Sequence, residues 1–346
     1  MTFAVATILL IFLQCFILSD NVSSLSLLAS HNHHHHHHNH QRSLWFPTTI
    51  QNTNSPTIIL MGGMAQPLAA WEPTARALST TRNVLLVEPL GVGKSFATTT
   101  VVNDQFDGTD HCYYSLISQA QALHQIIMQH WNSTTNSGTT STTSSQVPPS
   151  FDLVGFSLGA RILLAYASML LQENDSNPTP ATTSSSGSIH KIHLTGIASE
   201  RSVASKVAMM GWIDCLQSNK SYGWSMLQTT YSSDFLYKNK DRISQWVNFV
   251  EQENKATELL RVLLHDEVDG YYDHYISSLS SLSCRAGHGG QLVVGGADCM
   301  APPEHALQLS RQLGWNDPII LENVGHAVPF ECPFKWRKLV LEYLDS

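Results

Sequence analysis

The pentapeptide Gly155-Phe156-Ser157-Leu158-Gly159 constrains this chain more than any other segment. An apolar run, residues 151–154, stands directly before it, and a helix-like stretch, residues 160–171, stands directly after it. Strand, G-x-S-x-G, helix is the context of a nucleophile elbow, a turn so sharp that the residues two before and two after the serine would collide if they carried side chains. Glycine at 155 and 159 removes that collision. The turn lifts the Ser157 hydroxyl above the edge of a sheet and leaves the Leu158 N–H free to donate to an oxyanion.

A nucleophilic serine needs a base, and the base needs an acid to orient it. Two further strand ends supply candidates in the order Ser…Asp…His. Residues 291–297 form a buried-strand pattern followed at once by Asp298, with Pro302 and Pro303 opening a helix from about Glu304. Residues 318–324 form the next strand, followed by Gly325-His326. Parallel strands bring all their C-terminal ends to one sheet edge, so Ser157, Asp298 and His326 are expected to converge there. Asp298 also fits the role of a helix N-cap ahead of the proline pair. Glu200, after a strand pattern at 191–197, is the rival acid.

The second oxyanion donor is expected from an earlier strand, residues 57–61, which runs into Gly62-Gly63-Met64. Its donor is the Met64 N–H, beside that of Leu158, with Gly62 and Gly63 letting the backbone turn close to a ligand. Gly62-Gly63-Met64, the elbow with its Gly155 and Gly159, Asp298 and Gly325-His326 together resemble the oxyanion loop, nucleophile, acid and base of the α/β-hydrolase superfamily. The resemblance spans about residues 57–345. The usual loop begins with His-Gly, and Gly62 stands where that histidine would be. The resemblance implies an α/β-hydrolase fold: a mostly parallel central sheet flanked by helices, with a helical cap inserted before the penultimate strand. It implies a serine hydrolase, active on a small-molecule carboxylic ester, thioester or lactone through an acyl-enzyme on Ser157. That chemistry calls for no cofactor and no metal. Two alternatives stay open. Gly-Phe-Ser-Leu-Gly-Ala-Arg161 is similar to the elbow of menaquinone-pathway lyases of this fold, in which the triad abstracts a proton. A non-catalytic ligand-binding protein of the fold is the other.

Strand and helix patterns alternate from residue 57 to the end, with helices expected at 69–79, 114–131, 158–172, 304–313 and 335–344. The interval from 200 to 284 holds amphipathic helical patterns and no strand, and reads as the cap. Trp212, Trp224, Met226, Phe235 and Tyr271 are its candidates for lining an acyl pocket. Ser/Thr/Asn-rich tracts at 133–148 and 174–188 read as disordered insertions in helix-to-strand loops. Glu88-Pro-Leu-Gly-Val-Gly-Lys94-Ser95 ends like a phosphate-binding loop, but Glu88 stands where that motif needs its first glycine.

Residues 3–18 are apolar except for Thr7 and Gln14, and are read with the residues to 24 as a signal peptide or an uncleaved anchor. The expected route is secretory, with membrane contact only if the leader stays on, and organelle targeting through a bipartite leader is not excluded. Sequons at Asn132, Asn174 and Asn219 agree with that route. Residues 25–43 form a His-rich low-complexity segment to which no metal is assigned, and the hydrolase domain is expected over 44–346. The net charge of −8 without a basic cluster argues against nucleic acid as a partner. Cys299 and Cys332 follow two site loops, and either a disulfide or two free thiols fits.

Overall fold

The computed structural model describes residues 39–48, 50, 55–97, 114–135, 150–176, 189–268 and 289–346. The leader, most of the His-rich segment, nearly all of the two polar tracts, residues 269–284 of the expected cap, Tyr271, Cys112 and Cys284 lie outside them.

Seven strands form the main sheet in the order β2-β4-β3-β6-β7-β8-β9. They are β2 (Ser43–Phe46), β3 (Thr57–Met61), β4 (Val84–Val87), β6 (Phe151–Phe156), β7 (Ile189–Thr195), β8 (Gln291–Gly295) and β9 (Ile319–Leu321). All neighbours pair in parallel except β2, which runs antiparallel along β4. A two-stranded ribbon of β1 (Asn39–His40) and β5 (Phe96–Ala97) stands apart. The first described strand, β1, lies inside the stretch expected to be low complexity. The six strand patterns, a run at 84–88 included, are all present: β3 and β6 keep 57–61 and 151–156, β7 lies two residues earlier than 191–197, and β4, β8 and β9 are shorter than expected.

The central strands are buried on both faces, and residue parity divides them between two cores. Ile59, Met61, Leu85, Val87 and Leu153 face the helices α2 (Leu116–Thr135) and α3 (Leu158–Ser176). Ile58, Leu60, Val84, Leu86, Val154 and Phe156 face α1 (Leu68–Leu78) and α11 (Pro333–Asp345). Trp71 and Trp336 anchor that second core edge-to-face, with ring centroids 5.9 Å apart. Between β7 and β8 the chain runs through α4 (Val203–Gln217), α5 (Gly223–Thr230), α6 (Ser233–Lys238), α7 (Ile243–Glu253) and α8 (Ala256–Val268). Two more helices, α9 (Pro303–Leu313) and α10 (Val328–Glu331), flank β9. Among the described residues no helix is long and apolar enough to cross a membrane.

The Glu88 turn shows why the phosphate-loop likeness is empty. Glu88 is buried, and its carboxylate accepts hydrogen bonds from the Leu68 amide (2.8 Å), the Ser95 hydroxyl (2.8 Å) and the Lys94 amide (3.2 Å). A Cβ at Gly93 would lie 2.1 Å from Glu88 Oε1. The protein's own carboxylate occupies the space that a phosphate would need.

His193 on β7 is fully buried, with Nδ1 2.9 Å from Gln291 Oε1, and burial drives its pKa down to about 4. The unfolded chain binds that proton near pH ~6.5. Between the two values the unfolded state holds the extra proton. The contribution is therefore complete above about pH 6.5 and is lost as pH falls towards about 4, worth about 3 kcal/mol in all. Denaturant titrations across this window should show that loss in the wild type and a flatter profile in His193→Leu. Equal slopes would rule His193 out as the cause.

Candidate active site

Strand β6 ends at Phe156 and α3 begins at Leu158, so Ser157 alone makes the turn. It does so at φ 51°, a left-handed conformation that a non-glycine residue holds only when its surroundings impose it. Those surroundings are visible on both sides. A Cβ at Gly155 would lie 2.6 Å from Ala160 Cα, and one at Gly159 would lie 2.3 Å from the Gly62 carbonyl oxygen. The Ser157 amide donates to Thr195 O on β7 (2.9 Å), which fixes the turn to the sheet.

The hydroxyl raised by that turn meets its expected partner. Ser157 Oγ lies 2.9 Å from His326 Nε2, and His326 Nδ1 lies 2.8 Å from Asp298 Oδ2. Asp298 and His326 are both buried. The other Asp298 oxygen accepts from the Met300 and Ala301 amides, each at 2.8 Å. Asp298 thus ties down the chain ahead of α9, whose N-cap is Pro302, while Oδ2 holds the imidazole. Glu200 makes no hydrogen bond to that histidine among the described residues; its carboxylate lies 3.8 Å from His305 Nε2.

Met64 and Leu158 both line the cavity beside Ser157, and neither amide has a hydrogen-bond partner among the described residues. The loop that carries Met64 is held by Gln66, whose Oε1 accepts from the Gly63 amide and from Trp71 Nε1, both at 3.0 Å. Gly62 and Gly63 are glycine for a different reason than the one expected. A Cβ at 62 would strike the Trp71 indole, at 2.2 Å, and one at 63 would press on Phe156 and Ser157. Trp71 and Gln66 thereby brace the loop.

The helices between β7 and β8 are bonded to all three remaining site loops. Asn254, just past α7, donates to Ala65 O (3.1 Å) and accepts from the Gly93 amide (2.7 Å). Cys299 Sγ donates to Thr229 O (3.2 Å), and Ser202 Oγ donates to Cys299 O (3.0 Å). On the histidine loop, the Ala327 amide donates to Thr230 O (2.8 Å). The Glu331 carboxylate closes the loop: it accepts from the Gly325 amide (3.0 Å), the Ser232 amide (2.8 Å) and the Ser232 hydroxyl (2.6 Å). Glu331 therefore bridges the backbone next to His326 to the start of α6.

These helices also wall a cavity of about 110 Å³ that opens on Ser157 and His326. Trp212 and Met226 line it, as expected, together with Met209, Leu263 and Arg161. Trp224 is instead half exposed, and Phe235 packs with Tyr231 and Trp246 in a three-ring cluster and does not line the cavity. Cys299 and Cys332 are free thiols. Burial, with Glu331 beside it, pushes the Cys332 thiol up to about 11. Among the described residues no group of three or more His, Cys, Asp or Glu side chains is placed to hold a metal ion.

No protein-family model matches this sequence, and no curated protein matches it significantly. Solved structures do. MGS-M2, an alpha/beta hydrolase enzyme from a Medee basin deep-sea metagenome library, superimposes with a TM-score of 0.63 at 17% identity, over 89% of this chain and 95% of that one. A thermophilic esterase from Thermogutta terrifontis gives 0.63 at 14% identity, over 88% and 93%. The enol-lactonase from Burkholderia xenovorans LB400 gives 0.62 at 14%, over 89% and 97%. The chain has the α/β-hydrolase fold.

If Glu331 sets the position of His326, its loss should be felt in turnover more than in stability. Glu331→Ala is expected to lower kcat about 10²-fold, the cost of misplacing a reacting group by about an ångström. Glu331→Gln, which keeps one acceptor oxygen, should recover much of that loss. Steady-state kinetics beside thermal melts make the test; a fall in kcat no larger than the fall in folded fraction would leave Glu331 a structural residue only.

Proposed function

We propose that this chain is a serine hydrolase that cleaves a carboxylic ester, thioester or lactone through an acyl-enzyme on Ser157. The observation that carries the reading is the continuous hydrogen-bonded line Ser157 Oγ–His326–Asp298, at 2.9 and 2.8 Å, beside two amides with no partner among the described residues. His326 Nε2 takes the Ser157 proton as Oγ attacks the carbonyl carbon. The tetrahedral oxyanion is received by the Met64 and Leu158 N–H groups. Asp298 keeps the His326 tautomer with Nδ1–H turned inward and stabilises the imidazolium. His326 returns the proton to the leaving alcohol or thiol, and water, activated the same way, releases the acid.

The helices of residues 203–268 act as a cap in this reading, because they roof the cavity and hold its loops. The small, mostly apolar cavity suits a short acyl group. Esters of two- to four-carbon acids should outpace those of ten carbons or more. One observation favours a second reading: Arg161 lies in the cavity wall rather than in the packing beneath α3. It keeps open a lyase or C–C hydrolase that uses His326 as a base on a bound anion.

A fluorophosphonate probe tests the first reading. Ser157 should take it up stoichiometrically, Ser157→Ala should take up none, and His326→Ala should label at least 10²-fold more slowly, since an unassisted hydroxyl is a poor nucleophile. Folded protein that neither labels nor turns over any ester would defeat the proposal, and labelling without ester turnover would favour the second reading.

A further inference from the structure

Gln66 braces the β3 loop, and the way it does so fixes the direction of its remaining donors. Residues 63–66 make a tight turn: the Gln66 amide donates to Gly63 O (3.3 Å), and Ala65 sits at φ 58°. The Gln66 carboxamide folds back onto the peptide just ahead of Met64, where Oε1 accepts from the Gly63 amide and from Trp71 Nε1, both at 3.0 Å. A backbone N–H and an indole N–H can only donate. The two ends of the carboxamide are therefore not interchangeable: an oxygen must stand where Oε1 stands, and Nε2 must point the other way. Gln66 borders the cavity with Met64, Ser157 and His326, and its Nε2 has no hydrogen-bond partner among the described residues. The same wall holds acceptors, the hydroxyls of Ser205, Thr230 and Tyr231 and the Glu200 carboxylate. The Thr230 hydroxyl donates to Met226 O (2.7 Å), Glu200 is beside His305, and none of the four accepts a bond from Gln66 among the described residues.

We infer, resting on the Ser157 reading, that Gln66 Nε2 is a third donor to the oxyanion, beside the Met64 and Leu158 amides. Anchoring to the Gly63 amide sets the carboxamide one peptide away from the Met64 N–H, on the side of the site where the carbonyl oxygen gathers charge. As Ser157 Oγ bonds to the carbonyl carbon, the C=O π pair moves onto that oxygen, and the Nε2–H holds it without giving up its proton. When the tetrahedral species collapses, the pair returns to rebuild the carbonyl, and the alcohol leaves with the proton carried by His326. The two bonds accepted by Oε1 draw electron density through the amide and make the Nε2–H a stronger donor. A neutral, pre-aimed group of this kind stabilises the transition state at every working pH and needs no reordering as the charge develops.

Two variants and one spectrum test this. Gln66→Glu keeps an oxygen for the Gly63 and Trp71 donors and replaces the N–H pair by a second oxygen, whereas Gln66→Ala removes brace and donor together. On a short activated ester, Gln66→Glu should lower kcat about 10²-fold with KM little changed. It should fall below Gln66→Ala in kcat although it melts higher. A brace alone predicts the reverse order, with Gln66→Glu close to the wild type. The spectrum separates a donated bond from the mere effect of an added charge. In wild-type protein labelled with ¹⁵N at glutamine, the side-chain signals missing from Gln66→Glu belong to Gln66. A trifluoromethyl ketone forms an alkoxide on Ser157 at the oxyanion position, and its binding should move one of the two Nε2 protons downfield and leave the other nearly in place. A Gln66→Glu enzyme as fast as the wild type overturns the inference, and so does a Gln66 signal pair that ignores the bound ketone. If either happens while Ser157 takes up a fluorophosphonate, the third donor is wrong and the hydrolase reading stands. If Ser157 takes up neither fluorophosphonate nor ketone, both fall.

Discussion

The structure turns on one tight contact, the crossing of the β6–α3 turn over the end of β3. Gly159 lies so near the Met61 and Gly62 carbonyl oxygens, 2.5 and 2.3 Å from where its Cβ would be, that no other residue fits without moving a strand. That closeness forces Ser157 to carry the whole reversal at φ 51°, a strain of order 1–3 kcal/mol. Sheet pairing on both sides of β6 and the Ser157 amide bond to Thr195 hold the strained residue in place. The same contact brings the β3 loop and the start of α3 side by side. The residues Met64 and Leu158 therefore border the same cavity as the raised hydroxyl. In the proposed reading, the oxyanion position and that hydroxyl both follow from one steric fact.

The second requirement is that four loops from different strands keep their places. Loops at a sheet edge are ordinarily the most mobile part of a fold. Here three are tied by buried or half-buried polar side chains: Gln66 and Asn254 for the β3 loop, Asp298 for its own, and Glu331 for the histidine loop. The inserted helices are thus part of the frame of the site as well as its roof. A pre-set geometry of this kind lets binding energy go into the reaction instead of into ordering the groups that perform it.

Much of this was legible in the sequence because it obeys local rules. The elbow glycines, the apolar strand runs and the residue just past each strand located Ser157, Asp298 and His326, and the parallel sheet brought them together. The supports were not legible. Asn254 and Glu331 act through bonds to backbone 189 and 99 residues away, and Gln66 through a loop, and such pairings leave no periodicity to read. Glu88 was noticed only as a defect in a motif, although its carboxylate organises the turn. Amphipathic spacing marked Trp224 and Phe235 as apolar candidates of the cap. Spacing shows which residues share a helix face; it does not show whether that face meets a cavity, another helix or water. The antiparallel β2 showed only as a stretch, residues 44–50, that could contribute a strand, since four residues beside a polar stretch carry a short pattern.

The account stands or falls on Ser157 forming a covalent bond to the acyl group. The direct measurement is acid-quenched mass spectrometry of the protein within the first turnovers of an activated acetate ester. A single acetyl group on the peptide that holds Ser157, absent from Ser157→Ala, is the predicted result. Acetyl carried by another residue, or ester turnover that persists unchanged in Ser157→Ala, would contradict it.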